Sequence, residues 1–416
     1  MVAGGTPTAG SSAAGRDGDS LEAARRPFAA GDGIRAIAAL SVVLYHAAYV
    51  RSGYRAAYGH FLGSALENLD LGLYLFFVLS GYLIARPYVS AYIDGRPLPS
   101  LGSYGRNRAL RIIPAFWVVT TILLLRHNLF VDVLPRGTFN ASPVQLAAIF
   151  LFLQNWWPST DAVLVGPAWT LDIEVLFYAL IPLMAVVVVA TLRRVPHRRR
   201  WLVVLALTFV VTASSLAARY ALPATLVLQR SIPAMLFAFM LGVALASVEG
   251  RSIAAMRGHG QTLLLALSLA IVGLALLFAY YEVAPARAGF DPRGPRFRPL
   301  LAALGCGCLV GAPLVSEWSG RAGWVLLTHP VVKWVGVRSY SIYLIHQGLG
   351  VDVQALVPAW GGPITHFLFF AALLIPATLL AAALSYRFVE APLLRLKKGP
   401  VGFGPTQLRA PLAGGC

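Results

Sequence analysis

The chain has 416 residues, 58% of them apolar and only 12% charged, with a mean hydropathy of +0.70. A water-soluble globular protein is nearer half apolar and a quarter charged, so this composition excludes a soluble enzyme, a disordered chain and a disulfide scaffold and leaves a polytopic membrane protein. The net charge is +17, but the basic residues, only three of them lysine, sit between apolar runs. That is the pattern of membrane orientation and not of nucleic-acid binding.

Residues 1–31 are rich in Gly, Ala, Ser and Thr and lack the apolar stretch of a signal peptide, so they read as a disordered cytoplasmic tail. Apolar runs then follow at roughly 33–50, 66–88, 110–126, 143–154, 168–191, 201–218, 230–248, 262–281, 299–316, 339–356 and 364–386. Nearly all suit a span of about 20 residues; the run 143–154, at about 12, reads as re-entrant or interfacial. Ten spans with both termini inside place about two-thirds of the basic residues on the cytoplasmic side, whereas counting 143–154 as a span leaves the inside with the minority. The expected fold is all-α: about ten transmembrane helices plus one short re-entrant or interfacial segment, over residues 32–396, followed by a polar, flexible tail at 397–416. No internal repeat of transporter type is visible. Cys306 and Cys308 share one apolar run with no histidine cluster nearby, so they read as packing residues and no metal site is expected.

Ionisable groups inside apolar helices are expensive and point to function. The first span carries Asp32-Gly33-Ile34-Arg35 and then His46. Eleven helical positions leave only ~20° of rotation, so Arg35 and His46 share a face ~16.5 Å apart along the axis. Counting residues from the cytoplasmic face puts Arg35 at ~3 Å, His46 and Glu174 both at ~20 Å, and Ser80 and His346 both near ~10 Å. His46 and Glu174 are therefore expected to meet, either as a structural ion pair or as an imidazole oriented and made more basic by a carboxylate.

These residues fall within a series of motifs. Asp32-Gly33-Ile34-Arg35 with His46 resembles the first signature of the membrane-bound acyltransferase 3 family, and Phe76-Phe77-Val78-Leu79-Ser80-Gly81-Tyr82-Leu83-Ile84 resembles its second-helix motif. Arg108-Ala109-Leu110-Arg111-Ile112-Ile113-Pro114 is similar to the opening of its third helix. Trp169-Thr170-Leu171-Asp172-Ile173-Glu174-Val175-Leu176-Phe177-Tyr178, Ser339-Tyr340-Ser341-Ile342-Tyr343-Leu344-Ile345-His346 and Glu390-Ala391-Pro392 continue the order. The resemblance covers about residues 32–392. Two positions depart from it: Ala36 stands where glycine is common, and Asp172 replaces a small residue.

The resemblance implies transfer of an acyl group from cytoplasmic acyl-CoA, as co-substrate, to a hydroxyl, usually of a carbohydrate. Arg35, Arg108 and Arg111 would hold the nucleotide end of the donor, since guanidinium forks suit phosphate. His46, supported by Glu174, would be the general base, with Arg35 completing the catalytic set. Ser80, Tyr343 and His346 are open candidates for oxyanion contacts, Trp169 for a wall of the site, and Asp172 for acceptor choice or another pairing. The arginine-rich, Ala/Gly/Val-rich composition suggests a GC-rich bacterial genome. The expected location is thus the bacterial cytoplasmic membrane, and the acceptor a cell-envelope glycan or a glycosylated natural product such as a macrolide. Many relatives carry a fused esterase-like domain; only a short tail follows the last helix here, so such a partner is expected as a separate protein. The competing class is a transporter or flippase with Arg35, His46 and Glu174 as a relay.

Overall fold

The computed structural model describes residues 28–48, 57–129, 142–156, 166–223, 225–255, 259–282, 297–319, 324–357 and 362–397. Apart from residues 28–31 and Lys397, both expected tails lie outside the described residues. Among the described residues all regular structure is helical. The principal helices are α1 (Gly31–Ala47), α2 (Gly72–Asp94), α3 (Leu101–Leu129), α4 (Pro143–Phe150), α5 (Trp169–Leu192), α6 (His197–Ala221), α7 (Ile232–Ala255), α8 (His259–Glu282), α9 (Arg298–Trp318), α10 (Pro330–Val337), α11 (Ser339–Gln354) and α12 (Pro363–Ser385). Local chemistry sets several of the boundaries. Proline occupies the first turn of α9, α10 and α12, where its missing N–H costs nothing. Gly95, at φ 69°, closes α2 in the left-handed conformation.

Eight of these helices, α2, α3, α5, α6, α7, α8, α9 and α12, are long and apolar enough to cross a membrane. The other two expected spans are α1 and α11, with 17 and 16 residues. At ~25 and ~24 Å they fall a little short of a ~30 Å hydrocarbon core, and they are the two helices that carry His46 and His346. The segment read as re-entrant is short indeed. Helix α4 has eight residues, capped by a reciprocal Ser142–Gln145 pair, and the chain then turns at Phe152 (φ 59°) into a 3-10 turn at Gln154–Trp156.

Helix α2 is the hub. Tyr74, Phe77, Val78, Leu79, Tyr82 and Ile84 are all buried, and α2 packs on α1, α5, α7 and α9. It crosses α7 backbone to backbone: a Cβ at Gly81 would sit 2.0 Å from the Phe239 carbonyl oxygen, and one at Gly242 would sit 2.1 Å from that of Val78. Helix α8, by contrast, leaves Leu264, Ile271, Leu274 and Phe278 outward, a surface for lipid rather than water.

The start of α1 is clamped from two sides. The backbone N–H groups of Ala29 and Ala30 each donate to the Glu317 carboxylate at 2.9 Å, and Phe28 is buried. Phe28, Ala29 and Ala30, ahead of the expected boundary at residue 32, thus pack with the helical domain. On the other side Gly336 of α10 lies against the Asp32 carbonyl, where a Cβ would come within 1.8 Å. Arg35, one turn further on, is thus fixed in place by backbone packing.

Candidate active site

Helices α1, α2, α3, α5 and α11 line a partly open cavity. Arg35, Arg108 and Arg111 line it together with Ser80, Glu174 and Tyr178, and Phe76, Thr170 and Tyr343 line it as well. The three guanidinium groups come from α1 and from successive turns of α3. Arg35 donates to Asp32 at 3.0 Å, three residues earlier on the same helix. The Arg108 guanidinium sits 5.5 Å from the Tyr104 ring and 5.2 Å from the Tyr178 ring, a cation–π arrangement that orients it without neutralising it.

Glu174 and Tyr178 are one helical turn apart on α5, and both face α2. The Ser80 hydroxyl and the Tyr178 hydroxyl each donate to Glu174 Oε1 at 2.7 Å. This corrects the expected His46–Glu174 pair: Glu174 is held by two hydroxyls, and no hydrogen bond joins it to His46.

His46 meets His346 instead. His346 Nδ1 lies 2.7 Å from the Tyr343 carbonyl oxygen, and His346 Nε2 lies 3.1 Å from His46 Nδ1. His46 Nδ1 is also 2.9 Å from the Val42 carbonyl oxygen. Carbonyls only accept, so His346 carries its proton on Nδ1 and donates to Tyr343, leaving Nε2 to accept. His46 then carries its proton on Nδ1, shared between Val42 and His346, and its Nε2 holds a free lone pair. This is the tautomer a general base needs. His346 is fully buried, whereas His46 keeps partial exposure.

Residue counting put the two rings at different depths, and α10 explains much of the discrepancy. Its Gly336 is level with Asp32, so α11 begins about one turn deeper than its first apolar residue suggests. Of the two side chains expected to share one cleft, Arg35 is among the described residues that line the cavity and His46 is not, nor is His346. Phe76 and Tyr343, 5.8 Å apart as rings, both line it, and the Tyr343 ring lies 5.9 Å from that of His346.

The remaining candidates separate by role. The Tyr343 hydroxyl lies 2.8 Å from Thr170 Oγ1 and donates to the Pro167 carbonyl at 3.1 Å, so it pins the start of α5. Trp169 is buried beneath the Arg230 guanidinium, 4.7 Å from its ring, and is not among the described lining residues of the cavity. Asp172 is buried, and its Oδ2 accepts the Asn155 backbone N–H at 2.9 Å, while the Asn155 side-chain amide donates to the Trp169 carbonyl at 2.6 Å. Asp172 thus ties the re-entrant segment to α5 on the face turned away from Glu174, beside a smaller pocket lined also by Trp156 and Arg230.

One residue assigned to the tail belongs near the site. Lys397 follows the short helix Ala391–Leu394, which packs on α3. Burial and the nearby Arg111, Arg108 and Arg35 push its ammonium down to about 8, with Glu390 the one opposing influence. A lysine just beyond an apolar helix gives no pattern in the sequence that would mark it. Among the described residues no three His, Cys, Asp or Glu side chains converge as a metal ion would require.

The chain matches the acyltransferase 3 family, described as an acyltransferase domain, over residues 28–386. It is 26% identical over 378 residues to the peptidoglycan O-acetyltransferase OatA of Listeria monocytogenes, covering 87% of this chain and 55% of that one. It is also 26% identical over 384 residues to the O-acetyltransferase OatA of Staphylococcus aureus, covering 88% and 57%. The chain thus spans about half the length of these curated relatives. No solved structure matches it.

Proposed function

Because the chain belongs to the acyltransferase 3 family, we propose that this multi-pass membrane protein is an O-acyltransferase that moves a short acyl group from acyl-CoA to a carbohydrate hydroxyl. The observation that carries the reading is the cavity itself. Three guanidinium groups, with Asp32 as the acidic partner of one of them, share a chamber with the Ser80–Glu174–Tyr178 cluster and are backed by the imidazole pair. A cationic chamber of this kind suits the phosphates of a nucleotide thioester, and Arg gives them planar, paired contacts. His46 Nε2 takes the proton of the acceptor hydroxyl, and His346 holds the imidazole in the required tautomer. Ser80 and Tyr178 are hydroxyl donors inside the cavity.

The similarity to a peptidoglycan O-acetyltransferase favours a cell-envelope glycan as acceptor over a glycosylated natural product such as a macrolide. The arginine bias and the distribution of basic residues favour the bacterial cytoplasmic membrane, with both termini and the arginine-lined mouth on the cytoplasmic side.

The test is CoA release by the full chain in nanodiscs, supplied with acetyl-CoA and a peptidoglycan fragment. Acceptor-dependent release, with an alkali-labile acetyl ester on the glycan, is the expected result. Glycan accumulation in sealed vesicles without CoA release would replace this reading with the transporter.

A further inference from the structure

The hydroxyls of the cavity bear on how the acyl group travels. The three arginines line a chamber together with Ser80, and its wall at Tyr343 lies 5.9 Å, ring to ring, from His346, the partner of His46. Among the described lining residues Glu174 is the one carboxylate, and Ser80 is hydrogen-bonded to it at 2.7 Å. The two tyrosine hydroxyls of α11 that line the cavity are committed, Tyr343 to Thr170 and Pro167 and Tyr340 to the Ile112 carbonyl at 2.8 Å, and Ser339, which lines it as well, hydrogen-bonds no carboxylate among the described residues. Tyr178 shares Glu174 Oε1, and its ring lies against Arg108. Ser80 is a primary alcohol one turn along α2 from Phe76, ~6 Å along the axis, so an ester on its oxygen lies beside the Phe76–Tyr343 pair.

Resting on the acyl-thioester reading above, we propose that Ser80 takes the acyl group first, as a covalent ester, with Glu174 as its base. The Ser80 oxygen attacks the thioester carbonyl while its proton passes to Glu174 Oε1. The carbon–sulfur bond then breaks, and the departing thiolate takes that proton and leaves as free CoA. In the second half, His46 Nε2 removes the acceptor proton, the acceptor oxygen attacks the Ser80 ester, and the Ser80 oxygen leaves. The proton held by His46 returns to it. Atoms and charge balance over the two halves, and no oxidant or other co-reactant is needed. A carboxylate and a serine at hydrogen-bond distance are the pairing that activated nucleophiles require.

The experiment is acid-quenched labelling of the full chain in nanodiscs with acetyl-CoA that carries radiolabel in its acetyl group, without acceptor. Label on the peptide containing Ser80 is expected, absent in Ser80→Ala and at least tenfold lower in Glu174→Gln. Ser80→Cys, which keeps the shape of the site, is expected to carry the label as a thioester cleaved by neutral hydroxylamine. His46→Ala is expected to become labelled yet fail to discharge onto a peptidoglycan fragment. Turnover by wild type with Ser80→Ala within about twofold of it would overturn the covalent step and leave the acyl-CoA reading standing. Failure of the wild type to consume acetyl-CoA, with acceptor present, would overturn both.

Discussion

The cavity around Glu174 and the imidazole pair of His46 and His346 are served by the same short helix, α1, and differ in how they are held. At one end of α1, Arg35 belongs to a cationic chamber assembled from α2, α3 and α5, whose polar groups include Arg108, Arg111, Ser80 and Tyr178. At the other end, His46 sits in a neutral hydrogen-bond chain that runs through His346 to the Tyr343 backbone. The first region is arranged to attract an anion, the second to fix a tautomer. Charge attraction tolerates small displacements, whereas proton transfer needs one lone pair in one direction. On the function proposed above, binding and proton transfer are allotted to separate places, and substitutions in each should fail in different ways.

The largest effect is expected at the imidazole. His46→Ala should lower kcat by about 10²–10⁴-fold, the usual worth of a general base, while the protein still purifies as a folded membrane species. Activity within about twofold of wild type would remove His46 from the mechanism. Arg35→Ala should act on the other region, raising KM for acetyl-CoA about 10–100-fold through loss of charge-assisted bonds of about 1.5–3 kcal/mol. A fall in kcat with unchanged KM would erase the distinction between the two sites.

His346→Gln sharpens the tautomer argument. It keeps an acceptor for His46 Nδ1 but loses the ring that Tyr343 orients, so kcat should fall about tenfold, the worth of one hydrogen bond. KM for acetyl-CoA should not move.

Asp172→Ala touches neither region directly. It strands the Asn155 amide and should cost about 1–3 kcal/mol of stability, read as a lower thermal midpoint in detergent, with KM for acetyl-CoA unchanged.

The smallest effect is expected from Lys397. Its charge is present below its value of about 8 and lost above it, against a background of Arg35, Arg108 and Arg111, which stay charged, and of Glu390. KM for acetyl-CoA should therefore rise a few-fold, on the order of a single weak surface charge contact, as pH climbs from 7 to 9. Lys397→Gln should show the higher KM at every pH, without that rise.

Much of this was legible in the chain, for identifiable reasons. The reading of 143–154 as re-entrant or interfacial rested on a run of ~12 residues being too short to cross a bilayer, and the helix found there has eight residues. Arg35, Ser80, Arg108, Arg111 and Glu174 were all singled out by sequence, and the structure brings them to one cavity. The partners were not legible. Glu174 and His46 share a depth by residue count, but depth does not say which neighbouring helix each one faces. Asp172 looked like a specificity residue because it departs from a pattern; its partner is a backbone N–H of Asn155, and backbone donors leave no mark in a sequence.

By itself the amino-acid order determined the solvent of this protein and its make-up as a series of apolar helices, and it singled out the side chains that meet at the cavity. All of these follow from hydrophobicity, charge and helical period, which are properties of one segment at a time. Only the tertiary structure decided that His46 answers to His346 and that Glu174 answers to Ser80 and Tyr178. Those outcomes depend on rotation and close approach between helices far apart in the chain, set by backbone contacts at Gly81, Gly242 and Gly336. Such contacts are short-ranged, so they exist only once the helices are packed.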